Sequence, residues 1–210
     1  MPARRRAQIS TRKLPQQARS SELVSAILEA AVRVLEKEGA QRFTTARVAA
    51  KAGVSVGSVY QYFPNKASIL FRLQSDEWRA TSAMMRGILE DRPTPPLDRL
   101  RRLVHAFVQS ECDEAAVRVA LDDAAPLYRD APEAAAAKGE WDSVTEAFMR
   151  ETLPGRTKAV RDLAGDLITT TLSAVGKDFS ETARSPAEIR SYADAMADMF
   201  CAYLTSLKAR

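Results

Sequence analysis

The apolar residues of this chain recur at helical spacing along almost its whole length. Near the C-terminus they repeat every three or four positions, first over about 157–176 and then over about 187–208, which is the pattern of two long amphipathic helices. Runs of alternating polar and apolar residues bounded by hairpin turns, the pattern of paired strands, do not occur. With 210 residues the chain is long enough to bury a full core. The sequence therefore predicts an all-α protein.

Basic residues are concentrated in the first part of the chain. Residues 1–80 contain 14 Lys and Arg against 6 Asp and Glu, a net charge of +8, whereas residues 81–210 contain 17 against 21, a net charge of −4. Residues 1–20 alone contain six basic residues and no acid, and their composition predicts a disordered arm. A basic N-terminal part of this kind is suited to contact a polyanion.

Composition disfavours several classes of protein. No segment approaches the ~18 uninterrupted apolar residues of a membrane span, and no secretory signal is visible, so we expect a cytoplasmic protein. The two cysteines, Cys112 and Cys201, lie far apart, which favours free thiols over a disulfide framework. Because His105 is the single histidine, we expect no metal site, no cofactor and no catalytic centre built on histidine. The protein is therefore not expected to be an enzyme.

The segment from Thr44 to Lys66 has the spacing of a helix-turn-helix. Thr44 is placed to cap a short helix that ends at Gly53, and Ser55 is placed to cap a second short helix that ends before Pro64. In helix-turn-helix proteins the second helix enters the major groove of DNA. The spacing therefore predicts a DNA-binding element.

The second of these helices is expected to present an uncharged face. Val59 and Phe63 are four residues apart and are predicted to face the core. We expect the opposite side to contain small, polar and aromatic residues, namely Gly57, Ser58, Gln61 and Tyr62, with Val56 and Tyr60 at its edges. An exposed helical face without charge is unusual for plain solvent contact. It favours close approach to a DNA groove.

One part of the sequence resembles the DNA-binding module of the TetR family of bacterial transcriptional regulators. The resemblance covers about 45 of the 210 residues, AILEAAVRVLEKEGAQRFTTARVAAKAGVSVGSVYQYFPNKASIL, and is carried above all by the pattern AGVS…Y.YF..K from Ala52 to Lys66. It implies a homodimer whose N-terminal three-helix modules bind operator DNA, and a variable C-terminal helical domain that binds a small molecule and releases the DNA. It also implies that Tyr60 and Tyr62 contact the sugar-phosphate backbone or pack on the groove wall, and that Lys66 contacts a phosphate. For Tyr60, a half-buried place in the core is the alternative.

Other residues of the module have expected roles that follow from their chemistry. Thr44 and Thr45 open the first helix of the helix-turn-helix, where free backbone N–H groups and the helix dipole favour a phosphate. Arg47 either contacts DNA or is a solvated surface charge. Ser58 and Gln61 are candidates for hydrogen bonds to base edges. The predicted DNA-binding residues are Thr44, Thr45, Arg47, Ser55, Val56, Gly57, Ser58, Tyr60, Gln61, Tyr62 and Lys66.

The C-terminal part is expected to form a dimer and to bind the small molecule. Its last two helices have broad apolar stripes, which suggest a partner, and the resemblance implies an intersubunit four-helix bundle. The residues predicted to form this interface are Leu163, Leu167, Ile168, Leu172, Tyr192, Met196, Met199, Phe200 and Tyr203. Pockets are lined mainly by apolar and aromatic residues, so we expect an apolar or aromatic effector. Candidate contacts, each also a candidate core residue, are Trp78, Met84, His105, Phe107, Trp141 and Phe148.

These expectations define the organisation and function that the sequence predicts. The predicted regions are a disordered basic arm over 1–20, a helix-turn-helix domain over 21–85, and a helical effector-binding and dimerisation domain over 86–210. The arm either follows the minor groove or serves as a solubilising tail. The expected function is that of a ligand-responsive repressor that binds a palindromic operator as a homodimer. The alternatives are an architectural or division-associated DNA-binding protein without an effector, and an all-α enzyme.

Overall fold

The computed structural model describes residues 18–128 and 140–209. In these two ranges all regular secondary structure is helical, which confirms the predicted all-α class. Their α-helices are α1 (Ala18–Arg42), α2 (Thr45–Ala52), α3 (Val56–Tyr62), α4 (Lys66–Leu89), α5 (Pro96–Asp113), α6 (Ala115–Ala124), α7 (Glu140–Thr152), α8 (Lys158–Ser180) and α9 (Pro186–Ala209). A short 3-10 turn, Ala125–Leu127, follows α6.

The first helix begins earlier than predicted. It starts at Ala18, so the last three residues of the predicted arm are helical, and residues 1–17 lie outside the described part of the chain. Gly39 has φ 70° and ψ 173°, which is not a helical conformation. Glycine adopts a positive φ readily. The apolar periodicity of α1 therefore ends at the predicted position, although helical turns continue to Arg42.

The described residues form two compact units. The first runs to Arg79 and also includes α6 from Ala116, and the second contains Ala80–Ala115 and α7 to α9. The predicted boundary between residues 85 and 86 also lies within α4, but this grouping places the division after Arg79 and assigns α6 to the first unit. Fully buried residues of the first unit include Ile27, Leu35, Phe43, Val48, Val59, Phe63, Ile69, Leu70 and Leu121.

Both apolar and polar contacts attach α6 to the first unit. Leu121 and Tyr128 are buried in the same apolar cluster as residues of α1 to α4. The Tyr128 hydroxyl lies 2.9 Å from the carbonyl oxygen of Leu121 and 3.3 Å from Oε1 of Gln74. Arg118 forms an ion pair of 2.8 Å with Glu77 of α4. Buried polar groups are stable when they are hydrogen-bonded, so these pairs fix α6 against α4.

In the second unit, Arg99 is fully buried and joins three helices. Its side chain is 1% exposed. It donates hydrogen bonds to the carbonyl of Leu89 at the end of α4 and to the carboxylate of Glu151 in α7. Its guanidinium also lies 5.5 Å from the centre of the Phe148 ring. Because a buried charge needs a paired and hydrogen-bonded partner, Arg99 fixes the ends of α4 and α7 beside α5.

Helices α5 and α8 approach each other closely at Gly176. A Cβ atom built on this glycine would lie 2.8 Å from Cε1 of Phe107, which is closer than van der Waals contact allows. Phe107 is 7% exposed and belongs to the core of the second unit. Phe107 is a candidate for both a core position and a ligand contact, and its ring lies against α8 at Gly176. The absence of a side chain at Gly176 is what leaves space for it.

We expect Gly176→Ala to be less stable than Gly87→Ala by about 1–3 kcal/mol, because the added methyl group overpacks the core. Both glycines are helical residues of the second unit, and both replacements gain about 1 kcal/mol of helix propensity. A Cβ on Gly87 meets no atom within 4 Å, so Gly87→Ala is the matched control. Urea unfolding followed by circular dichroism measures the difference. Equal stability of the two variants would contradict the close approach of α5 and α8.

Candidate nucleic-acid interface

The turn between α2 and α3 has the backbone geometry of a helix-turn-helix. Thr44 is in an extended conformation and its Oγ1 accepts a hydrogen bond from the backbone N–H of Arg47 at 3.3 Å, as expected for an N-cap. Gly53 has φ 69° and ψ 28°, the left-handed conformation that ends α2. Thr44 and Gly53 therefore act as predicted from the sequence.

Side-chain caps also define α3 and the start of α4. Ser55 Oγ accepts from the backbone N–H of Ser58 at 3.0 Å and lies 2.8 Å from Ser58 Oγ. At the next helix, Asn65 Oδ1 accepts from the backbone N–H of Ser68 at 2.9 Å. Lys66 is the exposed first residue of α4. A cation in this place is opposed by the helix dipole, and a nearby phosphate would offset that effect.

One side of α3 is exposed and carries no charge. Val56 is 38% exposed and Tyr60 is 41% exposed. Gly57 and Gln61 are also exposed, and Ser58 is half-buried. We call the four exposed residues Val56, Gly57, Tyr60 and Gln61 the α3 face. On the other side, Val59 and Phe63 are fully buried, as the sequence predicted.

Two predicted DNA-binding residues have buried side chains. Tyr62 is 7% exposed and lies in the core of the first unit, whereas it was expected on the exposed side of α3. It is three residues after Val59, and residues separated by three share a helix face. Thr45 is 8% exposed. Its side chain is therefore largely withdrawn from solvent, whereas the exposed Thr44 and the backbone N–H groups at the start of α2 can still meet a phosphate.

Arg47 is held against the end of α1. Its Nη1 donates to the carboxylate of Glu38 and, at 3.2 Å, to the carbonyl of Arg42. The Arg47 side chain is 43% exposed. Neither of the two roles considered for Arg47 includes this pair, because Glu38 lies nine residues earlier in another helix and no local pattern indicates the contact. Glu38 is thus a part of this site that the sequence analysis missed.

The candidate ligand residues do not share one environment. Phe148 is in the core of the second unit beneath Arg99, and Phe107 packs on Gly176. His105 lies at the surface, with Nε2 3.0 Å from Oδ1 of Asp194. Two further candidates, Trp78 and Met84, are half-buried, and the Trp141 side chain lies outside the described part of the structure.

The predicted dimerisation residues divide into two groups. Ile168, Leu172, Met196 and Phe200 are each at most 5% exposed and belong to the core of their own unit, so they are not available to a second chain. Tyr203 is half-buried. The remaining four, Leu163 (63% exposed), Leu167 (47%), Tyr192 (38%) and Met199 (53%), form what we call the α8–α9 stripe. Contacts of α8 and α9 with α5 and α7 bury the first group.

Other chemical features are limited in the described residues. Cys112 and Cys201 are free thiols, and burial raises the pKa of both, which disfavours the reactive thiolate. Within residues 18–128 and 140–209, no cluster of His, Cys, Asp and Glu has the composition of a metal site. No helix in the same ranges is both long and apolar enough to cross a bilayer.

The two capped helices with an exposed recognition face define a DNA-binding protein of the helix-turn-helix class. Two family models match the chain: bacterial regulatory proteins, tetR family, over residues 27–73, and tetracyclin repressor-like, C-terminal domain, over residues 95–207. The second match alone covers more than half of the 210 residues. The chain belongs to the TetR family of DNA-binding transcriptional regulators.

Individual proteins are similar to this chain in part of their sequence or in their fold. The nucleoid occlusion factor SlmA of Vibrio campbellii is 38% identical over 83 residues, which cover 39% of this chain and 42% of the relative. The match thus spans less than half the length of that curated relative. A putative TetR-family regulator from Mesorhizobium loti superposes with a TM-score of 0.69 at 19% identity, over 89% of this chain and 98% of the other. NalD, the secondary repressor of the MexAB-OprM efflux pump in Pseudomonas aeruginosa, gives 0.63 at 21% identity, over 86% and 96%.

Proposed function

We propose that this protein is a repressor that binds a palindromic operator as a homodimer and is released by a small molecule. The observation that carries the proposal is the α3 face, an exposed and uncharged surface on the second helix of a helix-turn-helix. A recognition helix of this kind reads base edges in the major groove. Transcriptional control of this type takes place in the cytoplasm, where bacterial DNA lies.

Gly57 supports a close external contact at the α3 face. Among the residues that the structure describes, a Cβ on Gly57 would meet only Ser55 Oγ, at 3.6 Å, so their packing does not require a glycine there. Glycine in a helix costs about 1 kcal/mol relative to alanine. We infer that the missing side chain lets the α3 backbone come close to DNA. Beside it, Val56 can pack on a thymine methyl group and Gln61 can bond adenine.

Contacts with the DNA backbone are proposed for the surroundings of the α3 face. Tyr60 is exposed and can reach a sugar or phosphate, and Lys66 supplies a positive charge. The free N–H groups at the start of α2, next to Thr44, can bind a phosphate oxygen. Arg47 can join them only if it exchanges its bond to Glu38 for one to DNA. Such contacts position the protein but do not distinguish sequences.

The α8–α9 stripe supports homodimerisation. Four large apolar side chains are exposed on α8 and α9, two successive helices of the second unit. Exposed apolar patches of this kind mark interaction surfaces, and an isologous contact uses the same patch on both chains. To read one face of DNA, the two α3 helices of such a dimer would have to lie about 34–36 Å apart, one turn of DNA, or at a related spacing. This geometry fits a palindromic operator.

Gln61→Ala is expected to weaken binding to an operator selected in vitro by about 5- to 150-fold, because one amide–base contact contributes about 1–3 kcal/mol of discrimination. Binding to a scrambled duplex is expected to stay unchanged. Lys66→Gln is the comparison variant, and it should weaken binding to both duplexes equally and reduce the salt dependence. Fluorescence anisotropy at several salt concentrations measures all four affinities. Equal weakening of both duplexes by Gln61→Ala would contradict base readout by α3.

The alternative of a DNA-binding protein without an effector is favoured by one observation, the similarity to a nucleoid occlusion factor over 83 residues. Against it, residues 95–207 match the C-terminal domain of the tetracyclin repressor-like group, which supports release by a small molecule. The two functions differ on long DNA. A repressor is expected to protect one operator from nuclease, whereas protection that spreads with protein concentration would support the alternative.

A further inference from the structure

A groove in the second unit lies between α5 and α9, with one residue contributed by the end of α4. Its volume is about 660 Å³, and sites for small molecules usually measure about 300–1,000 Å³. Ile88, Ala106 and Ile189 form its apolar wall. Three arginines also line it, namely Arg101, Arg102 and Arg190. The groove therefore combines an apolar wall with several positive charges.

Two polar pairs connect α5 and α9 along this groove. Arg101 Nη1 lies 2.6 Å from Asp198 Oδ1, and His105 Nε2 lies 3.0 Å from Asp194 Oδ1. From one pair to the next, the chain moves four residues forward in α5 and four residues backward in α9. This regular spacing is that of two antiparallel helices with facing side chains.

Four residues further along α5 lies Gln109, and four residues earlier in α9 lies Arg190. These two residues do not pair with each other. Gln109 Nε2 donates instead to Asp113 Oδ1, at 2.8 Å and within α5. Arg190 is exposed at the groove and has no ion-pair or hydrogen-bond partner among residues 18–128 and 140–209. The groove thus ends in a cation that the described part of the chain does not neutralise.

The other two arginines are fixed in place but retain hydrogen-bond donors. Arg102 Nη1 lies 2.5 Å from Asp91 Oδ2, and the hydrogen bonds from Arg102 and Thr94 lower the pKa of Asp91. A guanidinium has five N–H donors, so the carboxylate contact of Arg102, like that of Arg101, leaves others for a ligand. Asp98 is the acidic residue among those that line the groove. Because Asp198 and Asp91 pair with Arg101 and Arg102, Arg190 is the lining arginine that has no carboxylate partner among the described residues.

We propose that this groove binds a small amphipathic anion, a carboxylate with a hydrocarbon chain. The carboxylate accepts hydrogen bonds from Arg190 and the neighbouring arginines, and the chain covers the apolar wall. Hydrogen bonds between charged groups are the stronger ones in proteins, and arginines already held by ion pairs lose little freedom when an anion binds. Binding depends on the groove alone. That the anion acts as the effector rests on the proposed function.

Calorimetric titration of the full chain with octanoate, 1-octanol and octylammonium tests this proposal. The three probes share one hydrocarbon chain and differ in the charge of the head group. We expect octanoate to bind at one site per chain, and the other two probes to bind at least about tenfold more weakly. Arg190→Gln is expected to raise the Kd for octanoate about tenfold. Arg150→Gln removes an exposed arginine of α7 outside the groove and should leave the Kd unchanged.

Three results would overturn the proposal: no binding of octanoate, equal affinity for octanoate and 1-octanol, or equal affinity of the two arginine variants for octanoate. Circular dichroism establishes that both variants are folded. Affinity for the selected operator is measured separately and without octanoate. A failure to bind DNA selectively would therefore count against the proposed repressor. The calorimetric results decide separately whether the groove binds the amphipathic anion.

Discussion

Replacing Tyr62 by alanine is expected to lower the free energy of unfolding by about 3–5 kcal/mol, the range for removal of a buried aromatic side chain. Tyr62 is 7% exposed and packs in the core formed by α1 to α4. Its loss would leave a cavity beside Val59. Urea unfolding of the full chain measures the change. Tyr62→Phe keeps the ring and should retain most of the stability.

Tyr60, two residues earlier in α3, is the matched control. It is 41% exposed, so Tyr60→Ala is expected to change the free energy of unfolding by no more than about 0.5 kcal/mol. The same variant should weaken binding to operator DNA, because its ring is available for a backbone contact. A large loss of stability for Tyr60→Ala and none for Tyr62→Ala would contradict the orientation of α3.

Replacing both Leu163 and Met199 by glutamate is expected to convert a dimer into monomers. The two side chains are 63% and 53% exposed, so the charges are tolerated in a single chain. In a dimer they would be buried without partners, which costs several kcal/mol. Because a monomer binds one half-site, affinity for the selected operator is expected to fall about 100-fold or more. Sedimentation at micromolar concentration measures the oligomeric state.

Val119→Glu is the control for this prediction. Val119 is 46% exposed in α6, outside the α8–α9 stripe. A charge there is expected to leave both the oligomeric state and the affinity for DNA unchanged. A double variant that remains dimeric and binds the operator normally would place the interface elsewhere on the chain.

Local signals in the sequence were sufficient to predict the helix-turn-helix. Thr44 and Ser55 cap the helices that follow them, and Gly53 adopts the left-handed conformation between α2 and α3. Each of these roles depends on atoms within three or four residues. For that reason the residue type and its position were enough to predict the geometry.

The side of a helix on which a residue lies was harder to predict from the sequence. Tyr62 was expected on the side of α3 opposite Val59 and Phe63, whereas its three-residue spacing from Val59 directs the ring to the core. In α8 and α9 the apolar stripe is wider than the core requires. Periodicity alone cannot show which residues of the stripe are buried and which are exposed, because the rotation of each helix depends on its packing partners. Ile168 and Leu167 are adjacent in the sequence, yet one is buried and the other exposed.

Contacts between distant parts of the sequence were not predictable. Gln74 and Tyr128 lie 54 positions apart, and their hydrogen bond is one of those that attach α6 to the first unit. Arg47 and Glu38 belong to different helices. No periodic pattern or cap indicates such pairs, because they arise only when the helices pack together.

Helix α6 belongs to the first unit although it follows α5 of the second unit in the sequence. This order affects how the protein folds during synthesis. Ala120, Leu121, Ala124 and Tyr128 supply part of a core whose other buried residues lie between positions 24 and 73. When the ribosome has released only the helix-turn-helix and α4, the surface that receives α6 is still open to water. Domains tend to fold as units while they are synthesised. The first unit, which contains the helix-turn-helix, is therefore completed only after α5, a helix of the other unit, has also emerged.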